Sequence, residues 1–170
     1  MVRQLTVDEI GLAKSVFGDR SDYSKFRIHH GSDLPFGLQE DKVAMTPNGE
    51  LYFRYWYRDD FSVATDDVQH LFIHEMAHVW QRGKGMNVIV RGLVSWIVSY
   101  SYSLDNRLLS EYPMEQQAQI IADNFTLQAH GFQVWSRFRR GDNPIVTLED
   151  NAPEAIIRQK HKHTLRGFPW

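Results

Sequence analysis

His74, Glu75 and His78 stand in the order HExxH within the run HEMAHVWQ. On a helix, positions i and i+4 lie on one face, one turn apart. Two imidazoles at that spacing can bind one zinc ion through their ring nitrogens. Glu75, beside the first of them, can reach a water held by the metal without ligating the metal itself. Two ligands and a base on one rigid element are what a metallohydrolase requires. The bland alternative is a pair of core histidines bonded to backbone carbonyls, with Glu75 paired to an arginine. Val68, Leu71, Phe72, Ile73, Met76, Ala77, Val79 and Trp80 weigh against it, because they make this segment apolar nearly all round. Such a helix lies in the core, where an uncompensated polar face is expensive.

Catalytic zinc needs a third protein ligand and an open fourth position. The chain has no cysteine, so the third ligand is His, Asp or Glu. The segment EYPMEQQAQIIADNF places Glu115, Ala118 and Ala122 on one helical face with Gln119 beside them. A carboxylate followed by small residues lets one helix pack closely on another, so Glu115 is the chosen third ligand. Glu111 competes, although it precedes Pro113 and reads as loop, and Glu115 could instead be a solvated first-turn acid favoured by the helix dipole. Asp123 is read either as a carboxylate orienting a metal-bound imidazole or as a surface acid. Of the eight histidines, His29, His30, His70, His130, His161 and His163 are read as background. Tyr100, Tyr102 and Tyr112 are near Glu115 in sequence, and a phenol could steady a tetrahedral oxyanion. Tyr112 is the candidate, with core packing as the competing role for each.

The elements that would position these groups can be read from periodicity and punctuation. Residues 6–17 form a first helix, with Thr6 and Glu9 as a capping box and Gly18 at its exit. Residues 25–29 alternate as a short strand. Residues 43–46 and 50–57 flank Pro47-Asn48-Gly49 and read as a hairpin whose second arm is LYFRYWY. Residues 66–82 form the metal-bearing helix, with Asp66 and Gln69 capping its start and Gly83 its end. Residues 88–100 are ambiguous between helix and strand. Pro113 opens a helix that runs to about Ala129 and ends at Gly131. A short helix spans 153–160, and 161–170 read as a tail.

With 170 residues, 42% of them hydrophobic and 24% charged, the chain has the makeup of one globular domain, with its core over about 6–160. A net charge of -2 draws it toward neither nucleic acid nor anionic lipid. The missing cysteines remove disulfides, thiol nucleophiles and thiolate metal sites together. The first ten residues lack the apolar core and cleavage site of an export signal. The most apolar stretch, 88–100, is interrupted by Arg91 and Gly92 and is too short to span a bilayer. The expected location is cytoplasmic, with export open to a route that needs no cleaved signal.

HEMAHVWQ, preceded by FRIHHG and VAMTPNGELYFR and followed by SYSLD and EYPMEQQAQIIADNF, resembles a group of bacterial zincin-like metallopeptidases. These are described as Vgr-related because similar domains are linked to type VI secretion spike proteins and Rhs elements. The resemblance covers about residues 29–127. It implies an α+β zincin-like fold, a small antiparallel or mixed sheet packed on the HExxH helix with further helices. It implies zinc on His74, His78 and Glu115, Glu75 as catalytic base, and residues 50–57 along the substrate cleft. Where the better-known zincins carry an Asp four residues after the Glu ligand, this chain has Gln119. The expected function is zinc-dependent hydrolysis of an amide bond, most readily a peptide, possible association with secretion-spike components being part of that expectation. Two other readings stay open: a zinc-stabilised binding or assembly domain without catalysis, and a cell-wall amidase using the same chemistry.

Overall fold

A computed structural model describes residues 1–31, 46, 49–86 and 100–170. The first arm of the expected hairpin, apart from Thr46, and nearly all of the ambiguous 88–100 stretch lie outside the described residues. Among the described residues the fold is α+β, with five α-helices and a small mixed sheet. The strands are β1 (Val2–Gln4), β2 (Arg27–His30) and β3 (Leu51–Phe53). They lie side by side in that order. β1 runs antiparallel to β2, with Arg3 opposite Ile28, and β2 runs parallel to β3, with Ile28 opposite Leu51. The helices are α1 (Val7–Phe17), α2 (Asp66–Gly83), α3 (Met114–His130), α4 (Phe132–Phe138) and α5 (Glu154–Thr164).

Helix α1 begins on the expected capping box. Thr6 Oγ1 accepts from the Glu9 amide at 3.1 Å, and the Glu9 carboxylate accepts from the Thr6 amide at 2.9 Å. The same carboxylate is fully buried, and it also takes a two-pronged ion pair from Arg3 and the amide of Phe61 at 2.8 Å. A buried charge is tolerable only when so fully partnered. Glu9 therefore ties β1, α1 and the turn leading into α2 to one point.

Helix α2 is the axis of the core. From Val68 to Gln81 its residues are buried, Leu71 excepted. Phe61 stacks on Phe72 with ring centroids 4.9 Å apart, and Phe53 packs on Phe61 at 4.7 Å. The start of α2 differs from expectation. Thr65 is the N-cap and makes no side-chain cap bond. Its hydroxyl turns to Asp67. Gln69 reaches back to the carbonyls of Phe61 and Ser62 instead of capping. The aromatic strand is also shorter than expected, because the chain turns after Phe53, with the Tyr57 amide bonding the Arg54 carbonyl. Helix α3 ends where Gly131 adopts φ 92°, a conformation that glycine reaches without strain.

The C-terminal tail is a correction. Helix α5 continues to Thr164, because Ile157, His161 and Thr164 turn one face into the interior. Beyond it, Phe168 and Trp170 pack on Trp80 with ring centroids 5.0 and 4.8 Å away. Strand β1, helix α4 and a single parallel bridge between Tyr102 and Leu148 were not anticipated. The first and last are too short for a periodic signal, and α4 follows α3 after one glycine.

His161 is fully buried, and neither ring nitrogen has a hydrogen-bond partner among the described residues. Burial pushes its pKa from the ordinary 6.5 down to about 4, against the opposing pull of Asp123 and Asp150. The unfolded chain takes up this proton near pH 6.5 and the folded protein only near 4. Its contribution is therefore complete above pH 6.5 and is lost as pH falls toward 4. The predicted loss is about 3 kcal/mol. Urea unfolding at a series of pH values should show wild type losing about this much more stability between pH 7 and 4 than a His161→Leu variant. Parallel profiles for the two proteins would contradict it.

Candidate metal centre

Helices α2 and α3 face each other in antiparallel register. His70, His74 and His78 are four residues apart on α2, and Asp123, Gln119 and Glu115 are four residues apart on α3. Each step up one helix meets a step down the other. His70 Nε2 lies 2.7 Å from Asp123 Oδ1, and His74 Nδ1 lies 3.0 Å from Gln119 Oε1. His78 Nε2 lies 3.2 Å from Glu115 Oε2. Small residues make this approach possible: Ala77 on α2 and Ala118 and Ala122 on α3 are fully buried.

The orientation of the His74 and His78 rings follows from their glutamine partners. His78 Nδ1 is 2.8 Å from Gln81 Oε1. The Gln81 amide nitrogen donates to the Met114 carbonyl at 2.9 Å and to Gln117 Oε1 at 3.1 Å, which leaves its oxygen to face His78. The Gln119 amide nitrogen donates to Asp123 Oδ1 and to the Ile145 carbonyl, which leaves its oxygen to face His74. Each Nδ1 therefore carries its hydrogen toward an acceptor, and each Nε2 presents a lone pair. Orienting partners of this kind accompany metal-bound histidines generally.

Both Nε2 atoms converge on one oxygen. Glu115 Oε2 is 3.4 Å from His74 Nε2 and 3.2 Å from His78 Nε2. Two ligands bonded at about 2.0–2.1 Å with tetrahedral angles are separated by roughly 3.3 Å, so these spacings fit a shared ion. Glu115 Oε2 is buried and accepts no hydrogen bond among the described residues. An orphaned carboxylate oxygen beside two imidazole nitrogens is a donor set fit for a cation, and the three residues could hold a metal ion. Without one, a proton substitutes. Burial by itself lowers the His78 pKa, but contact with Glu115, helped by the charge of Glu75, outweighs it and pushes it up to about 9. Burial raises the Glu115 pKa, and the two imidazoles overcome that and hold it far below the usual carboxylate range.

Glu75 is buried, and its Oε2 accepts a 2.6 Å hydrogen bond from the Thr46 hydroxyl. It opens on a cleft of about 360 Å³ whose lining includes Trp56, Leu71, His74, Tyr100, Gln119 and Ile145. Trp56 comes from the 50–57 segment expected along the cleft. Asp123 is fully buried, and the imidazole it meets is His70 rather than a ring facing Glu115. The signal for that pairing is the four-residue spacing on both helices. Glu111 caps the turn of 3-10 helix before α3 by accepting from the Leu108 amide at 2.7 Å. The tyrosines separate. Tyr112 donates to the Ser103 carbonyl at 2.6 Å, and Tyr102 donates to Asp123 Oδ2 at 2.6 Å. Tyr100 lines the cleft, with its ring 5.8 Å from that of His74.

No family model matches the chain. Over 132 residues, 72% of its length, it is 39% identical to the type VI secretion system spike protein VgrG2b of Pseudomonas aeruginosa. The chain spans only 13% of that protein. It superposes on the solved effector domain of Pseudomonas aeruginosa VgrG2b with a TM-score of 0.67 and 37% identity, covering 86% of this chain and 84% of that one. Identity at this level across most of both chains is a shared family as well as a shared fold: the chain belongs to the family of the VgrG2b effector domain.

Proposed function

We propose that this chain is a zinc-dependent hydrolase of amide bonds, acting on peptides, with His74, His78 and Glu115 as zinc ligands and Glu75 as general base. The observation that carries the reading is the convergence of two imidazole Nε2 atoms on an orphaned Glu115 oxygen beside an open cleft. A set of two histidines and one carboxylate suits zinc and leaves a fourth position for chemistry. Zinc, when bound, supplies a Lewis acid that acidifies water and polarises a carbonyl.

The chain's residues supply the rest. Glu75 takes the proton of the attacking water and passes it to the leaving amine. The Thr46 hydroxyl occupies one Glu75 oxygen and aims the other at the reacting atoms. Gln81 and Gln119 keep the ligand rings in the tautomer that ligates. Trp56, Leu71, Pro144 and Ile145 give the cleft apolar walls suited to a side chain and to the exclusion of water. The phenolic donor toward the developing oxyanion, expected at Tyr112, is assigned to Tyr100, which faces the cleft. An open cleft at Glu75 favours hydrolysis over a closed zinc-stabilised binding domain. The relative is named as a spike protein, so we further propose that the chain acts with secretion-spike components.

Three variants test the proposal. The Glu75→Gln protein should retain one zinc per chain and lose at least about a hundredfold in peptide hydrolysis, followed by mass spectrometry of the products. The His78→Ala protein should bind zinc at well below one equivalent by elemental analysis. Zinc retained at wild-type stoichiometry would sink the ligand set, and cleavage of purified peptidoglycan but of no peptide would replace the peptidase with an amidase. Gln81→Leu leaves all three ligands in place but frees the His78 ring, so its zinc affinity in chelator competition should fall about 10- to 100-fold.

A further inference from the structure

The rung formed by His70 and Asp123 has no part in holding a metal, yet it is built with more hydrogen bonds than the two that do. Asp123 is fully buried and accepts from four groups. Besides His70 Nε2 at 2.7 Å, these are the Tyr102 hydroxyl at 2.6 Å, the Gln119 amide at 3.1 Å and the Thr147 backbone N–H at 3.2 Å. Burial, then the charge of Asp123, raises the Tyr102 pKa well above its ordinary value, so this phenol stays a donor. Three donors besides the imidazole already satisfy the carboxylate. His70 is thus not needed to keep Asp123 from being orphaned.

The other face of His70 meets the cleft. The ring lines the cavity together with His74, Glu75, Tyr100 and Gln119. Its use is the reverse of the other two rungs: Nε2 is engaged by the protein, and Nδ1 makes no hydrogen bond among the described residues. Among the described residues, the charged and titratable groups around the ring include Asp123 across from it on α3, Tyr102 on the same carboxylate, His74 and Glu75 one turn further along α2, and Asp67 and Tyr100 on the cleft wall. One turn of helix separates His70 from the first proposed zinc ligand, about 6 Å of axial rise, within the span of a peptide unit and its carbonyl.

We propose that His70 is a catalytic residue of this site: its protonated ring, held from Nε2 by Asp123, donates a hydrogen bond from Nδ1 to the substrate carbonyl oxygen as negative charge develops there. This rests on the hydrolytic reading above. Asp123 is the positioning residue. It aims the ring and balances the imidazolium charge without touching substrate. The pair supplies the fixed donor that stabilises a charge present only in the transition state, and Tyr100 stands on the same cleft to share it.

The test uses the zinc-loaded protein, with His70→Phe, His70→Gln and Asp123→Asn compared with wild type. Removing one oxyanion donor typically lowers kcat about 10²- to 10³-fold. His70→Phe should show a loss of that order, with KM within about threefold, zinc content unchanged and melting temperature little altered. His70→Gln restores an N–H donor and should recover part of kcat. Asp123→Asn should lower kcat in the same direction without releasing zinc. A second readout does not depend on turnover. A phosphinic peptide, whose phosphinate mimics the oxyanion, should bind wild type far more tightly than His70→Phe by calorimetry.

The inference is overturned if His70→Phe keeps both kcat and phosphinate affinity within about threefold of wild type, or if its losses simply follow loss of zinc or of fold. Failure of the hydrolytic reading looks different. Wild type would then cleave no peptide, while phosphinate binding would still report whether His70 contacts the oxyanion mimic. Equal phosphinate affinity in wild type and His70→Phe would sink the His70 assignment in that case too.

Discussion

Three imidazoles of α2 meet three acceptors of α3 across a buried interface, and the described elements around it are arranged to support that contact. Burying six polar side chains between two helices costs several kcal/mol per unmatched group, so the interface is stable only when each atom finds a partner. Five of the six each have at least one hydrogen-bond partner among the amides, hydroxyls, carboxylates and rings around them. The sixth, Glu115, keeps an oxygen that accepts no hydrogen bond among the described residues and faces two imidazole nitrogens. The imbalance has a definite sign: it calls for positive charge, from a proton on His78 or from a metal ion. A half-satisfied polar network in a core is otherwise a liability. Here it lies beside the cleft lined by His74 and Glu75, where the proposed chemistry would use it.

The surrounding architecture holds the two helices at the distance this contact demands. Ala77, Ala118 and Ala122 allow the backbones to approach, and Phe61 and Phe72 stack beneath them. Glu9 fastens the sheet and α1 to the turn that feeds α2. Gln81 fixes the His78 ring from its own helix and, through the Met114 carbonyl, grips the start of α3 as well. The ring's tautomer and the helix packing are thereby set by the same side chain. Gln119 does the equivalent for His74 and passes the connection on to Asp123.

Much of this was legible in the residues. The HExxH spacing, the apolar surroundings of α2 and the small residues after Glu115 lead to the three side chains that converge. The capping box of α1 and the glycine ending α3 were readable because they are local and chemically specific. What escaped reading depends on which faces meet. Periodicity puts His70 on a stripe with His74 and Asp123 on one with Gln119, and only the packing of α2 on α3 shows that the two stripes meet in that register. His161 reads as part of a basic tail, because one helical turn between a lysine-rich stretch and a chain end carries no visible apolar stripe. The parallel pairing of β2 with β3 is a long-range choice that short strands do not announce. Gln119 looked like a departure in the orienting carboxylate. The facing helices show a displacement by one turn: the amide of Gln119 holds His74, and the carboxylate of Asp123 holds His70.

Kinship with the VgrG2b effector domain sets this arrangement within a family linked to secretion spikes, while the chemistry rests on the interface itself. The claim on which all else depends is that α2 and α3 together form a zinc site of two imidazoles and one carboxylate. X-ray absorption at the zinc edge of the purified, zinc-loaded protein tests it most directly. The account predicts four nitrogen or oxygen ligands at about 2.0–2.1 Å with the outer-shell scattering of two imidazole rings. A shell of six oxygens without imidazole scattering would contradict it.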